Sequence, residues 1–177
     1  MRFLPVVLLL ACGAPDRDDA GPTNLVVPLQ VQQKLPADVR SVLENPESFE
    51  LLSLFPAEEG LLPEIWEQRG YADLERMHRY AVLGKTRLGT GDRMKVLDAV
   101  YRGIGDSDGT VAACFKPRHG IRARRGETTV ELVICYECLS MIVYRNGAHT
   151  GSASTTGKPT RALTAMLKSK GVPLPDR

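Results

Sequence analysis

The spacing of apolar and polar residues changes several times along the chain, and each change predicts an element. Pro36 to Glu44 sets Val39, Val42 and Leu43 at three- and four-residue steps ahead of Asn45-Pro46, which predicts a short helix with a stop behind it. Ser48 to Phe55, SFELLSLF, is dense in apolar residues between two prolines, and Tyr80 to Leu88, YAVLGKTRL, alternates; both predict strands. Met94, Leu97, Val100, Tyr101 and Ile104 keep helical spacing, with Thr90 or Asp92 as the expected cap and Gly105 expected past the end. Two strands then fall within Cys114 to Cys138, and Leu139 to Tyr144 prolongs the second as far as Asn146-Gly147. That pair tolerates positive φ and predicts a tight turn, with Ala148 to Ser154 as the returning strand. Pro159 suits a first helical position, and Ala162, Leu163, Met166 and Leu167 share a face before Gly171 and Pro173 end the last helix.

Two stretches carry weaker patterns. Asn24 to Val31 predicts a short strand that Pro28 pushes to an edge. Ala57 to Arg76, with Pro63, Gly70 and a loose helical pattern at Leu61, Leu62, Ile65 and Trp66, predicts an excursion between strands. Helices and antiparallel strands in mixed order make an α+β domain, a single mainly antiparallel sheet with about three helices packed on it. At 177 residues and 43% hydrophobic, the chain has material for one core.

The N-terminus changes the picture of the whole. Phe3 to Ala11 is apolar but too short to span a bilayer, and suits the hydrophobic region of a signal peptide. Leu9-Leu10-Ala11-Cys12 resembles the lipobox of bacterial lipoproteins, which implies cleavage before Cys12 and lipidation of that cysteine. The acidic, proline-bearing run GAPDRDDAGPT that follows has little to bury. The expected organisation is a signal peptide over residues 1–11, a lipidated N-terminus and tether over 12–34, and one domain over 35–177. Such a protein sits in the bacterial cell envelope, held to the membrane by its lipid.

Charge excludes one class. With 23 basic and 21 acidic side chains the formal net charge is +2, so the chain lacks the field of a nucleic-acid binder, and any anionic partner must be met by a local patch. The expected partners are the membrane and an anionic envelope component or another envelope protein.

Candidate chemistry concentrates in CFKPRHGIRARRGETTVELVICYEC, Cys114 to Cys138. In extended backbone alternate side chains face opposite sides. Lys116, Arg118, Arg122 and Arg124 then share the face of Cys114, while Phe115, His119 and Ile121 take the other. In the second strand Val130, Leu132, Ile134, Tyr136 and Cys138 oppose Glu131, Val133, Cys135 and Glu137. A two-residue turn at Arg125-Gly126 sets even positions opposite odd ones, sending Cys114 and Cys135 to one side and His119 and Cys138 to the other.

Three chemistries compete for these residues. An oxidising compartment favours a disulfide among Cys114, Cys135 and Cys138, and parity favours Cys114 with Cys135. Cys114, His119, Cys135 and Cys138 also make four soft ligands of the kind zinc takes, although regular strands would face them apart. Cys135-Tyr136-Glu137-Cys138 has the CxxC spacing of a redox pair, without the helix start such pairs use. The four cations Lys116, Arg118, Arg122 and Arg124 form a candidate anion-binding patch, or a solvated strand face balanced by Glu131 and Glu137. No catalytic residue is assigned: His119 suits a hydrogen-bonded core position, and a catalytic use of His78 or His119 would need a pocket joining it to a cysteine and an acid. Gly84-Lys85-Thr86 lacks the earlier glycine and following helix of a phosphate loop.

SFELLSLF, HRYAVLGKT, VAACFKPRHGIR, LVICYECL and the closing AMLKSKGVPLP together resemble an uncharacterised group of small, often exported bacterial proteins and lipoproteins with CFxPRHGxR and ICFxC motifs. Tyr136 stands where that pattern has phenylalanine. The resemblance spans most of Ser48 to Pro175 and implies no activity. It singles out Cys114, His119, Cys135 and Cys138. The functional expectation is a non-catalytic binding or structural module without a cofactor, with a zinc-binding domain as the alternative and a thiol redox enzyme as the third reading.

Overall fold

A computed structural model of the chain describes residue 25 and residues 27–56, 67–68 and 70–176. Their elements run α1 (Leu29–Lys34), α2 (Ala37–Glu44), β1 (Ser48–Leu54), β2 (Arg76–Met77), β3 (Tyr80–Arg87), α3 (Thr90–Gly105), β4 (His119–Arg125), β5 (Thr128–Cys135), β6 (Ser140–Arg145), β7 (Ala148–Ser154) and α4 (Thr160–Ser169). The seven strands form one sheet in the order β2-β3-β1-β4-β5-β6-β7, with every neighbouring pair antiparallel. The fold is therefore α+β, with four helices among the described residues. None of these helices is long and apolar enough to cross a membrane. The signal segment, Cys12, and the Leu61, Leu62, Ile65 and Trp66 pattern lie outside the described residues.

Alternation along the strands divides the apolar residues between two faces. Phe49, Leu51, Ile121, Ala123, Val130, Leu132, Ile134, Met141, Val143 and Ala153 join the buried residues of all four helices in the main core. Leu52, Leu54, Met77, Tyr80, Val82 and Val133 form a smaller cluster, flanked by Phe55, Phe115 and Tyr144. The helical spacings place Val39, Val42 and Leu43 of α2, Leu97, Val100, Tyr101 and Ile104 of α3, and Leu163 and Leu167 of α4 in the main core. Burial of that face is the dominant stabilising term, at roughly 25 cal/mol per Å² of apolar surface removed from water.

Four local expectations are corrected. Residues 29–34 are helix α1, in place of an edge strand or tether. Pro28 fits the N-cap position, where its missing N–H costs nothing, while Val31 and Leu35 are fully buried and Lys34 Nζ donates to Ser154 Oγ at 2.9 Å. Helix α3 has Gly89 at its N-cap with no side-chain cap, and Gly105 is its last helical residue. The first hairpin strand starts only at His119, since residues 110–118, Pro117 included, run outside the sheet. The second strand does not continue through Leu139: Tyr136 to Leu139 turn the chain, Leu139 adopts φ 54°, and Cys135 pairs with Ser140 across the new hairpin.

The β4–β5 turn lies at Gly126-Glu127, one residue beyond its expected position, so Arg125 faces Thr128. Moving a hairpin turn by one residue slides the pairing by two, which leaves every side chain on its expected face. At Asn146-Gly147 the expected turn forms, with φ 49° and 79°.

Close approach at Gly103 joins α3 to the connection between β7 and α4. A Cβ there would lie 2.5 Å from both Pro159 Cγ and Thr155 Oγ1, and the Thr156 N–H donates to the Gly103 carbonyl at 2.9 Å. Gly103→Ala gains about 1 kcal/mol of helix propensity but incurs overpacking of roughly 1–3 kcal/mol against a proline ring that cannot retreat. Urea denaturation is expected to show a net loss of stability for Gly103→Ala. Gly91→Ala in the same helix, where a Cβ meets nothing within 4 Å, is expected to be neutral or stabilising.

Candidate functional site

The turn after β5 gathers the sulfurs. Because the strand ends at Cys135, side-chain alternation no longer governs Cys138, and the chain doubles back. Cys135 and Cys138 come to a Cα separation of 5.2 Å and are joined by a disulfide, in place of the expected Cys114–Cys135 bond. Cys114 lies on the irregular segment before β4, which is tied along the turn by the Ala112 N–H donating to the Cys138 carbonyl at 3.0 Å. Its Sγ stands 3.0 Å from Cys138 Sγ, and the Lys116 N–H also reaches Cys138 Sγ, at 3.4 Å. The Cys138 N–H points at Cys135 Sγ, 3.1 Å away. Cys135 and Cys138 are fully buried, whereas Cys114 is exposed.

His119 begins β4 on the core side, as parity expects, and belongs to different chemistry. Its Nε2 lies 3.0 Å from Thr164 Oγ1 of α4, and its ring tilts against that of Tyr136 with centroids 5.5 Å apart. Burial, and secondarily the charge of Arg118, pushes the imidazole down to about 4, so the ring is neutral at ordinary pH. Burial likewise pushes the Tyr136 phenol up, and its hydroxyl has no hydrogen-bond partner among the described residues. For the zinc reading, among the described residues no group of three or more His, Cys, Asp or Glu is arranged to hold a metal ion, and disulfide-bonded Cys135 and Cys138 present no thiolates.

The four candidate cations separate. Arg122 Nε binds Glu131 at 2.7 Å, while its Nη1 binds Glu75 at 2.7 Å and Glu50 at 3.5 Å. Burial alone would lower the guanidinium pKa, but the Glu75 and Glu131 bonds leave it raised. Arg124 donates to the Gly126 carbonyl, and Arg118 reaches Glu137 at 3.2 Å and the Asp176 carbonyl at 2.9 Å. Lys116 contributes its backbone N–H to Cys138. Arg118, Arg122 and Arg124 thus each hold a partner within the domain.

A different cationic surface lies where β4 meets α4. A cleft of about 730 Å³ is bounded by Arg118, His119, Glu137, Gly157, Lys158, Thr160, Arg161, Thr164, Ala165, Lys168, Leu174 and Pro175. Arg161, Thr164, Ala165 and Lys168 sit at helical steps that turn one face of α4 to the cleft, while Leu163 and Leu167 face the core. Lys158 pairs with Asp106 at 3.0 Å, but Arg161 and Lys168 pair with no carboxylate among the described residues. Helix α4 carries no acidic residue in its first turn and no side-chain cap. Sequence reading missed this cleft because its cations come from α4 and the preceding loop, far along the chain from the β4 cations. The available signal was the opposite face of the apolar pattern already found in α4.

Also unanticipated is the polar patch on the outer sheet face. His78, at φ 54°, stacks on Tyr144 with ring centroids 3.4 Å apart, and its Nε2 lies 2.9 Å from Glu131 Oε2. Lys85 joins the same patch through Glu75 at 2.6 Å. No cysteine is part of this arrangement, so the His78 combination considered from sequence does not assemble.

His119 generates a pH prediction. Between about 6.5, its ordinary value, and about 4, the unfolded chain binds the proton more readily than the folded one. Its contribution to stability is therefore intact above about 6.5 and lost as the pH falls toward 4, on the order of 3 kcal/mol in all. Urea denaturation across this range is expected to show wild-type protein losing stability faster than His119→Gln on acidification; parallel curves would contradict it. No family model, curated protein or solved structure matches the chain.

Proposed function

We propose that this chain is a lipid-anchored protein of the bacterial envelope whose domain is a non-catalytic binding module for a phosphate-bearing anion, taken in the cleft between β4 and α4. The observation that carries the binding role is the pair Arg161 and Lys168, two turns apart on one face of α4 and without carboxylate partners among the described residues. Arg161 opens beside the positive end of that helix, which has no side-chain cap and whose backbone N–H groups favour an anion, while Lys168 stands in the last turn on the same face. Thr164 lies between them and is held from behind by neutral His119. The local charge meets the condition set by a net charge of only +2, that attraction must come from a patch. Glu137, the acidic residue of the cleft wall, is occupied by Arg118.

The anchoring half of the proposal rests on Leu9-Leu10-Ala11-Cys12 and on the resemblance to exported bacterial proteins. A cationic surface that meets an anionic headgroup or polymer would give a point of attachment besides the lipid on Cys12.

Two measurements test the two halves. Cys12→Ala is expected to abolish incorporation of labelled fatty acid and to release the protein from the membrane fraction; retained labelling overturns the anchor. Binding is measured with glycerol phosphate, and with phosphatidylglycerol vesicles against phosphatidylcholine vesicles. Replacing Arg161 and Lys168 together by Glu is expected to weaken binding at least about tenfold, since each charge-assisted contact contributes about 1 kcal/mol or more. Failure of the unsubstituted protein to bind either probe overturns the binding role.

A further inference from the structure

The three sulfurs support an activity independent of the anion cleft. We propose that exposed Cys114 is the entry thiol through which the buried Cys135–Cys138 disulfide exchanges with external thiols. Three observations bear on it. Cys114 Sγ is 3.0 Å from Cys138 Sγ, within the reach needed for attack on that sulfur. Cys138 and Cys135 are fully buried, so a thiol in solution meets Cys114 first. The Cys138 N–H, 3.1 Å from Cys135 Sγ, is placed to stabilise negative charge on the sulfur that would leave.

The exchange balances without an added oxidant. Cys114 gives its proton to solvent, and its thiolate attacks Cys138 Sγ. A Cys114–Cys138 bond forms as the Cys135–Cys138 bond breaks, and the electron pair departs on Cys135, which takes up a proton. One disulfide and one thiol are present before and after. The new disulfide includes a sulfur on the exposed segment. An external thiolate attacks Cys114 there, releasing Cys138 as a thiol and leaving a mixed disulfide on Cys114. A second external thiol then resolves it, so that two external thiols are oxidised to a disulfide and the buried pair is reduced.

This arrangement differs from a two-cysteine redox motif at a helix start. Here CxxC lies in a hairpin turn whose sulfurs are closed off, and access depends on a third cysteine distant in sequence. Removal of Cys114 should therefore hinder reduction without removing the disulfide.

The test uses the full-length protein, with reduced glutathione as the probe, trapping by N-ethylmaleimide, and peptide mapping by mass spectrometry that follows Cys12 on its own peptide. Cys114→Ser is expected to slow reduction of Cys135–Cys138 at least tenfold, and the mixed disulfide trapped in the unsubstituted protein is expected on Cys114. In a second variant, Cys135→Ala treated with oxidised glutathione is expected to link Cys114 to Cys138. Reduction of Cys114→Ser at the unsubstituted rate, or a folded Cys135→Ala that keeps Cys114 and Cys138 unlinked, overturns the relay. If Cys135→Ala does not fold, the Cys114→Ser rate decides, because that exposed position leaves the native disulfide and the core in place.

Discussion

Pairing of β4 with β5 is the constraint from which the remaining arrangement follows. One face of this pair carries Ile121, Ala123, Val130, Leu132 and Ile134 into the core beneath the helices. A slip of one strand by one residue would bring Arg122 or Glu131 into that core and expose that strand's aliphatic residues, at a cost comparable to or beyond the few kcal/mol by which a domain is stable. The same alternation sends His119 inward to Thr164 and Arg122 outward to its carboxylates. The pair also occupies the middle of the sheet, with β1 on one side and β6 on the other. Its register therefore sets the positions of both neighbours.

The sulfur chemistry begins where that constraint stops. Cys135 is the last residue of β5, and five residues later, at Ser140, the chain is already returning as β6. A hairpin turn brings residues three apart close together, which a strand cannot do, since its rise carries them roughly 10 Å from one another. Cys135 and Cys138 consequently meet each other, and the segment before β4 delivers Cys114 to the outer side of the same turn. The turn also bears Tyr136, whose ring packs beside His119, so the thiol group and the cleft share a wall without sharing chemistry.

Charge is divided in a comparable way. On the outer sheet face Arg122 and Lys85 are neutralised by Glu50, Glu75 and Glu131, so that surface has little attraction left for a foreign anion. Along α4 the amphipathic pattern turns Leu163 and Leu167 inward and leaves Arg161 and Lys168 outward without such partners among the described residues. A nearly neutral protein thus carries an unbalanced patch along one helix face, with Arg161 near the helix end of the same sign.

What the sequence determined by itself was everything set by local periodicity. Val39, Val42 and Leu43 marked α2, the run from Met94 to Ile104 marked α3, and alternate residues of β4 and β5 took their faces even though the turn was placed one residue early. Asn146-Gly147 gave the final hairpin because its backbone preference is local. Tertiary structure decided what local pattern leaves open. Leu29 to Lys34 became helix because Val31 and Leu35 found a place in the core, and Tyr136 to Leu139 became a turn because Ser140 to Arg145 pairs back on β5. The union of Cys135 with Cys138, the approach of Cys114 and the cleft along α4 all depend on distances between segments. Spacing along a chain fixes which way a side chain points within an element, but only packing fixes what stands opposite it.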